Sequence, residues 1–403
     1  MKDRRRKAVV FLDDGGRQAT LFDPFAAALK RRGLATLRLT IATPSWARAL
    51  RDRLFYSEVL CLAATGGDHR LPARLARYEI VDVQLGEATL AELGLRSDLV
   101  RGLARVALSC AAAPPAELFD KFELNARLAE AGVLVPPQIA ASAADPQAAA
   151  DTLGTPYMVK RRVAEGGRGV LLAAGPAEAE AGLARWGAAA EDVFFQGHVP
   201  GELVMYGALV GDKGPLVERC FRATGYQKPC GPSAGVTLHH EPAAMRAGRA
   251  VASALGVRGL VQFDFIQDPA GRLWHIDANA RCWGSMLAAS AAGVGFLPAY
   301  VGLVTGSALR GLDLPSGEGQ VGVQPHTLLA AAATGSWAEF AAAWPAFARF
   351  CRTGPGAAYW GLIGLKAIGL HAGALLRRRP SPAAAAASAR SSKPALSSSS
   401  ADI

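Results

Sequence analysis

Short apolar runs alternate with longer amphipathic stretches from Lys7 to about Ala113. The runs AVVFL, LATLRLTI, EVLCLAA and EIVDVQL have the length and apolar content of buried strands, and residues 21–32 have the period of a helix. Strands that alternate with helices are typical of βαβ units around a mostly parallel sheet. The pattern therefore predicts an α/β domain over residues 1–115.

A second patterned region begins at Asp120. The stretch FELNARLAEAG predicts a helix that ends at Gly132, before the prolines of VLVPP. Strands and loops then alternate to about Ala289, and the alanine-rich residues from Pro298 to Arg352 predict helix. After Arg377 the chain has too little apolar surface to fold, which predicts a disordered tail.

Composition narrows the class of protein. The 403 residues are 51% hydrophobic and 19% charged, enough for a sizeable core and more than one domain. The six cysteines are scattered without CxxC spacing, which favours a reducing cytoplasm over a disulfide framework. The net charge of +10 comes without zinc-finger or RNA-binding motifs, so we expect anionic substrates and no nucleic acid.

The segment HIDANAR places polar residues at alternate positions of an apolar strand. Residues two apart share a face, so Asp277, Asn279 and Arg281 would point to one side. The preceding run GLVQFDFI and the turn QDPAGR predict a hairpin that brings Asp264 near the same face. Two carboxylates and an amide oxygen form a site for a hard divalent cation, so Asp264, Asp277 and Asn279 are predicted metal ligands.

Two upstream motifs suit a nucleotide. Lys160 ends the strand TPYMVK, and the glycine-rich loop after it exposes backbone N–H donors that suit phosphate oxygens. In VFFQGHVPGE, a linker between strands, backbone amides suit a purine edge and Glu202 suits ribose hydroxyls. Alone, each has an ordinary alternative: an edge-strand lysine, a simple hairpin and a solvated turn glutamate.

The ordered motifs FDK, MVK with its glycine loop, VPGE, QFDF and IDANAR together resemble the ATP-grasp superfamily, from about Phe119 to Gly306. The narrower likeness is to carboxylate–amine ligases that resemble the large subunit of carbamoyl-phosphate synthase, which share the RCWGS pattern. The resemblance implies an α/β fold with α+β lobes, and these units: a Rossmann-like pre-ATP-grasp domain at 1–115, a small lobe at 116–200, a C-terminal lobe at 201–312, a helical extension at 313–378 and a tail at 379–403.

The resemblance also implies roles for single residues. ATP would be bound by Lys121, Lys160, Glu165, Gly166, Gly167, Arg168, Gly169, Gln196, Val199 and Glu202. Mg²⁺ or Mn²⁺ would be held by Asp264, Asp277 and Asn279, while Arg281, with Asn279, would steady the transferred phosphoryl group. Asp277 stands where the family usually has glutamate, and Ala280 where it has proline.

The implied reaction joins a small-molecule carboxylate to an amine through an acyl phosphate, with release of ADP and phosphate. The alternative is a non-catalytic Mg-ATP-binding regulatory or scaffold protein. Arg219, Arg222 and Lys228 would bind an acidic substrate, or else they are solvated loop charges.

Residues 357–379 leave a membrane question open. The apolar stretch is long enough to span a bilayer, but Lys366 and His371 interrupt it. A helix packed on the ligase core and a helix lying on the inner membrane surface, with Arg377, Arg378 and Arg379 at the headgroups, are the two alternatives. The predicted location is the cytoplasm, with peripheral membrane contact under the second alternative.

Overall fold

A computed structural model describes residues 5–13, 19–41, 43–44, 46–65, 68–223, 235–286, 289, 293–307, 321–323, 341, 344–345 and 348. The predicted tail at 379–403, the segment 357–379 and Lys228 lie outside the described residues, as does most of the predicted extension at 313–378. None of the helices within the described ranges combines the length and apolar composition that crossing a bilayer requires.

The N-terminal part is a parallel sheet, as the alternating pattern predicts. Its strands are β1 (Arg6–Leu12), β2 (Ala35–Thr40), β3 (Glu58–Cys61) and β6 (Tyr78–Leu85), in the order β3-β2-β1-β6. A separate antiparallel pair is formed by β4 (Ala63–Thr65) and β5 (Asp68–Arg70). The helices are α1 (Ala19–Arg31), α2 (Trp46–Phe55), α3 (Glu87–Leu93) and α4 (Asp98–Ala104).

Aromatic rings fill the space between this sheet and its helices. Phe11 packs edge to face against Phe22 and Tyr56, at centroid distances of 5.4 and 5.7 Å. Arg38 on β2 is also buried, at 1% exposure, where it pairs with Asp13 and lies 2.8 Å from Asp52. A buried guanidinium inside an apolar strand requires such carboxylates, because an unpaired charge is costly away from water.

A small antiparallel sheet follows, in the order β7-β10-β8-β9. Its strands are β7 (Gln138–Ala140), β8 (Tyr157–Arg161), β9 (Val170–Ala173) and β10 (Val193–Gly197), and its helices are α5 (Pro115–Phe119), α6 (Lys121–Glu130), α7 (Pro146–Leu153) and α8 (Pro176–Trp186). One face packs Tyr157, Val159 and Phe195 into a buried core. The side chains of Met158, Lys160 and Gln196 alternate with these residues and occupy the other face.

The largest sheet is antiparallel, in the order β15-β14-β11-β12-β13-β16. Its strands are β11 (Glu202–Gly211), β12 (Gly214–Ala223), β13 (Gly235–His239), β14 (Gly259–Gln267), β15 (Leu273–Asn279) and β16 (Val321–Val323), and it packs with α9 (Pro242–Leu255) and α10 (Phe296–Thr305). Within the predicted helical extension at 313–378, Val321–Val323 form a strand that pairs with β13. This three-residue strand is too short to produce an alternating pattern, so its pairing comes from tertiary contact.

The β14–β15 hairpin forms at QDPAGR, as predicted. Asp268 fixes its turn by accepting hydrogen bonds from the backbone N–H groups of Ala270 and Arg272, at 3.0 and 2.9 Å. The same carboxylate accepts from Arg272 Nε at 2.7 Å and from Trp274 Nε1 at 3.0 Å. These bonds hold the register of the two strands that carry the polar motif.

Candidate active site

Two carboxylates face each other across the β14–β15 hairpin. Asp264 pairs in register with Asp277, and Gln262 with Asn279. Phe263 and Ala278, on the opposite face, belong to the buried core. The hairpin therefore brings the three predicted metal ligands onto one face of the sheet.

A β-bulge between Asp264 and Phe265 breaks the strict alternation of β15. Phe265 pairs with His275 instead of Ile276, so His275 turns into the core. It lies edge to face with Phe265 and Phe263, and within the described structure neither ring nitrogen has a hydrogen-bond partner. Burial lowers the pKa of His275 to about 3, so this imidazole is neutral behind the polar face.

The two carboxylates differ in their charge environment. Burial and the charge of Asp277 raise the pKa of Asp264 to about 7, and Gln262 Nε2 donates a hydrogen bond to it at 2.9 Å. Burial also acts to raise the pKa of Asp277, but Lys121, which donates from Nζ to Asp277 Oδ1, outweighs it and lowers that pKa. Asp277 is therefore ionised and paired with Lys121. Asp264 keeps its proton up to about neutral pH, because burial and the charge of Asp277 disfavour its ionised form.

This donor set fits a hard divalent cation. A second positive charge between Asp264 and Asp277 would stabilise both ionised forms, and carboxylate oxygens are the ligands that Mg²⁺ prefers. No cluster of three or more His, Cys, Asp or Glu side chains suited to a metal occurs among the described residues. An ion here would therefore need Asn279, water or substrate oxygens to complete its coordination shell.

Lys160 and Gln196 extend the polar surface onto the small sheet. Lys160, only 6% exposed, donates from Nζ to the Ile276 carbonyl at 3.2 Å and so links β8 to β15. Gln196 lies along β10 on the same face and is 1% exposed. Its Nε2 is buried with no hydrogen-bond partner in the described part of the chain, which leaves a donor suited to a ligand.

The glycine-rich loop at 165–169 joins β8 to β9, as the sequence predicts. Arg161 N donates to Gly169 O at 2.7 Å, and Arg168 N donates to Glu165 O at 3.2 Å. Gly169 is packed so tightly that a Cβ atom there would lie 2.6 Å from Ala164 Cβ and 2.8 Å from Arg161 Cβ. The base of the loop therefore has a single close-packed arrangement that requires glycine at 169.

Arg281 lies beyond the end of β15 and contacts the N-terminal part of the chain. Its Nη2 donates to Glu87 Oε2 at 2.7 Å, and its Nη1 donates to the Cys282 carbonyl at 3.0 Å. The two side chains of this ion pair are only 5% and 4% exposed. Burial acts to lower the pKa of Arg281, but the charges of Glu87 and of Glu165 in the glycine loop outweigh it and raise that pKa.

The charged side chains of the site lie close enough to change one another's pKa values. Burial acts to lower the pKa of Lys121, while Asp277 and Glu87 raise it above its ordinary value and Arg281 opposes them. The charge of Lys160 acts to lower the pKa of Asp264, against the effects of burial and of Asp277. The structure thus brings Lys121, Lys160, Asp264, Asp277, Arg281 and Glu165 together, and it adds Glu87.

Sequence reasoning missed Glu87 and Gln262. Glu87 begins α3 directly after β6, at the carboxyl end of a parallel strand, where α/β folds commonly bind ligands. Gln262 precedes Asp264 by two positions and shares its face. Both signals were present in the sequence, but the pairing of Glu87 with Arg281 depends on a contact between distant segments.

Glu202 and Arg222 form a separate polar group. Arg222 pairs with Glu202, donates from Nε to Glu241 Oε1 at 2.7 Å and donates from Nη2 to Gln267 Oε1 at 3.1 Å. Glu241, like Glu87, was not among the predicted residues. The guanidinium of Arg222 is already paired with the carboxylates of Glu202 and Glu241, whereas the Glu202 side chain is 76% exposed.

Two other predicted residues flank this group. Val199 lies half-buried in the segment between β10 and β11, and Arg219 lies on β12 opposite Gly207.

No protein-family model and no curated protein matches the sequence. Solved structures do match the fold. An N5-carboxyaminoimidazole synthetase from Staphylococcus aureus in complex with ADP is 16% identical, with a TM-score of 0.51 over 75% of this chain and 78% of its own. An L-amino acid ligase from Bacillus licheniformis is 13% identical, with a TM-score of 0.55 over 77% and 78%.

A third similar structure is the biotin carboxylase domain of Hydrogenobacter thermophilus 2-oxoglutarate carboxylase with MgADP and bicarbonate. It is 16% identical, with a TM-score of 0.55 over 76% of this chain and 71% of its own. These three structures share with this chain the fold that the resemblance implies. The narrower likeness to carbamoyl-phosphate synthase stays a prediction. With its parallel N-terminal sheet and two antiparallel sheets, the chain has the two-lobed ATP-grasp fold.

Proposed function

We propose that this protein is an ATP-dependent ligase that joins a carboxylate to an amine and releases ADP and phosphate. The observation that carries the proposal is the half-buried Asp264 and Asp277 pair, faced by Lys121 and Lys160. Oxygen ligands for a divalent cation beside two lysines form a site for a nucleotide polyphosphate. Neighbours of the same fold that bind ADP or MgADP support this assignment.

In this proposal Asp264, Asp277 and Asn279 hold Mg²⁺ or Mn²⁺, which neutralises phosphoryl charge. Lys121 and Lys160 bind phosphate oxygens, and the backbone of residues 165–169 covers them. The unpartnered Gln196 Nε2 donates to the nucleotide base, beside the linker that contains Val199. Glu202 accepts hydrogen bonds from the ribose, and Arg222 holds Glu202 in place instead of binding an acidic substrate; Arg219 stays a proposed substrate contact.

The proposed reaction has two steps. A substrate carboxylate oxygen forms a bond to the γ-phosphorus of ATP, the bridging bond to the β-phosphate breaks, and ADP leaves. An amine nitrogen then attacks the acyl carbon, phosphate leaves with the bonding electron pair, and the nitrogen loses a proton. Arg281, oriented by Glu87, stabilises the charge on the transferred group.

The alternative is a protein that binds Mg-ATP without turnover. One observation favours it: Arg281 is neutralised by Glu87, and Asp277 by Lys121, so both are engaged within the chain. A ligase would have to redirect these contacts towards substrate. The two proposals agree on nucleotide binding and differ on ADP formation.

The test incubates the protein with Mg-ATP, hydroxylamine and pools of carboxylic acids, and measures hydroxamate and ADP. Hydroxylamine intercepts an acyl phosphate even when the natural amine is unknown. We expect hydroxamate from at least one pool, with a loss of roughly a hundredfold in Asp277→Ala and Asn279→Ala. Asp151→Asn, on the exposed surface of α7, is the matched control and should keep full activity.

The outcomes separate the alternatives. Calorimetric binding of MgADP without hydroxamate or ADP formation would support the non-catalytic reading. Absence of nucleotide binding would contradict both.

A further inference from the structure

Helix α2 turns an apolar face outwards. Trp46, Leu50 and Leu54 are 82%, 62% and 53% exposed. Because they are four residues apart, they lie above one another on one side of the helix. We refer to Trp46, Leu50 and Leu54 as the α2 stripe.

The opposite side of α2 fixes the helix to the N-terminal sheet. Asp52 is fully buried beside Arg38, with 2.8 Å between its Oδ2 and Arg38 Nη1. Phe55 is 4% exposed, and its carbonyl accepts a hydrogen bond from Thr36 Oγ1 at 3.0 Å. The anchored face therefore directs the α2 stripe to solvent, the reverse of the usual amphipathic arrangement.

Cationic groups surround the C-terminal end of the stripe. Arg53 is exposed and lies three residues from Leu50, on the same side of the helix. Lys30 donates from Nζ to the carbonyls of Arg53 and Tyr56, at 2.9 and 3.1 Å, so the basic end of α1 meets the end of α2. Burial and the charge of Arg6 lower the pKa of Lys30.

A second copy of the chain fits this surface poorly. Three side chains expose on the order of a few hundred Å², whereas a stable complex buries about 800 Å² on each partner. A surface that is apolar along its length and positive at its C-terminal end is complementary to a partner with an apolar interior and a negatively charged surface.

We propose that the α2 stripe docks on an anionic lipid bilayer, with Trp46, Leu50 and Leu54 at the boundary between headgroups and acyl chains. Arg53, at the C-terminal end of the stripe, faces lipid phosphates. Shallow burial of a tryptophan and leucines beside basic residues is the arrangement of helices that lie in the membrane surface. The proposal rests on α2 alone, and neither the ligase function nor residues 357–379 enters it.

The test is flotation of the full chain with vesicles of phosphatidylcholine alone and of phosphatidylcholine mixed with phosphatidylglycerol. We expect the protein to float with the anionic vesicles and to stay behind with neutral ones. Leu50→Glu should lower the bound fraction about tenfold, because the carboxylate must enter the headgroup boundary. Val106→Glu adds the same charge at a residue 39% exposed after α4 and should bind like the unaltered chain.

Several results would overturn the proposal. One such result is that the unaltered chain does not float with anionic vesicles. Another is that Leu50→Glu floats as well as the unaltered chain, which would assign membrane binding to another segment. A dimer by light scattering that becomes a monomer in Leu50→Glu would identify the stripe as an interface between copies. Equal MgADP affinity in both variants, or equal circular dichroism if no nucleotide binds, checks that each is folded.

Discussion

Asp264 and Asp277 are chemically identical residues that the hairpin places in different charge states. Lys121 stabilises the ionised form of Asp277, whereas Asp264 has only the more distant charges of Lys121 and Lys160 and one amide donor from Gln262. Near pH 7, Asp264 therefore divides between its protonated and ionised forms. A cation that binds both carboxylates has to displace this proton.

The raised pKa of Asp264 couples both stability and metal binding to pH. Because the folded-state pKa of Asp264 is raised to about 7, the folded protein keeps a proton that the unfolded chain releases near pH 4. The metal-free protein should lose stability as the pH rises from about 4 to about 7. The Mg²⁺ concentration that half-saturates the ADP complex should increase about tenfold for each pH unit below 7, as measured by calorimetry.

Asp264→Asn is the control for this dependence. The amide has no proton to lose in this range, so both the metal-free stability and the Mg²⁺ requirement should vary less with pH. An unchanged pH profile in Asp264→Asn would assign the titration to another group.

The sequence predicts single residues well where a local period determines them. Asp277 and Asn279 share a face because a strand has a period of two, and Asp264 joins them through a short hairpin. Glu87 and Glu241 could not be selected in this way, since their partners Arg281 and Arg222 come from other elements. Their significance depends on which segments meet, and local pattern does not determine that.

Among the elements of the site, the glycine loop is tightly packed at its base. Gly169 closes the loop onto Ala164 and Arg161, while the backbone of Gly166 and Gly167 takes positive φ values of 59° and 68°. The turn therefore presents its backbone in a conformation that side chains would disturb.

We predict that Gly169→Ala weakens MgADP binding on the order of tenfold, because the new methyl group would push the loop away from Ala164 and Arg161. Isothermal calorimetry measures the effect. Gly175→Ala is the matched control: its backbone is extended and a Cβ there meets no heavy atom within 4 Å, so affinity should stay unchanged. Equal affinities in the two variants would contradict a role for the loop in nucleotide binding.

Element type follows from the sequence where the pattern is long. The N-terminal alternation predicts the parallel sheet, and the two apolar runs around QDPAGR predict the hairpin. The bulge at Asp264 and Phe265 and the strand β16 were not predicted. Both features depend on how the segment pairs with a neighbouring strand. Neither a three-residue strand nor a one-residue shift in register leaves a sequence pattern that predicts this pairing.

Across the whole molecule, the end of β6 and the residues just after it form a junction with the segment that follows β15. Tyr300 donates from its hydroxyl to Asp82 Oδ2 at 2.5 Å, Cys282 N donates to Gln84 Oε1 at 2.7 Å, and Arg281 pairs with Glu87. All of these side chains are buried. The N-terminal sheet is therefore joined to the large antiparallel sheet through polar contacts that water cannot replace.

We predict that Glu87→Ala destabilises the protein by about 3 kcal/mol, because Arg281 would remain as a buried cation without its anion. Urea unfolding followed by fluorescence measures the change. Glu117→Ala removes a comparable ion pair with Arg127 whose side chains are 48% and 28% exposed, and it should cost less than about 1 kcal/mol. Similar losses in the two variants would contradict a structural role for the buried pair.

This junction also bears on how the protein is made. Glu87 precedes Arg281 by 194 residues, and Asp82 precedes Tyr300 by 218. At ribosomal rates of 5–20 residues per second, roughly 10–40 seconds separate the appearance of each carboxylate from that of its partner. Throughout that interval Asp82 and Glu87 have water in place of their partners, so the junction can form only after most of the chain has been synthesised.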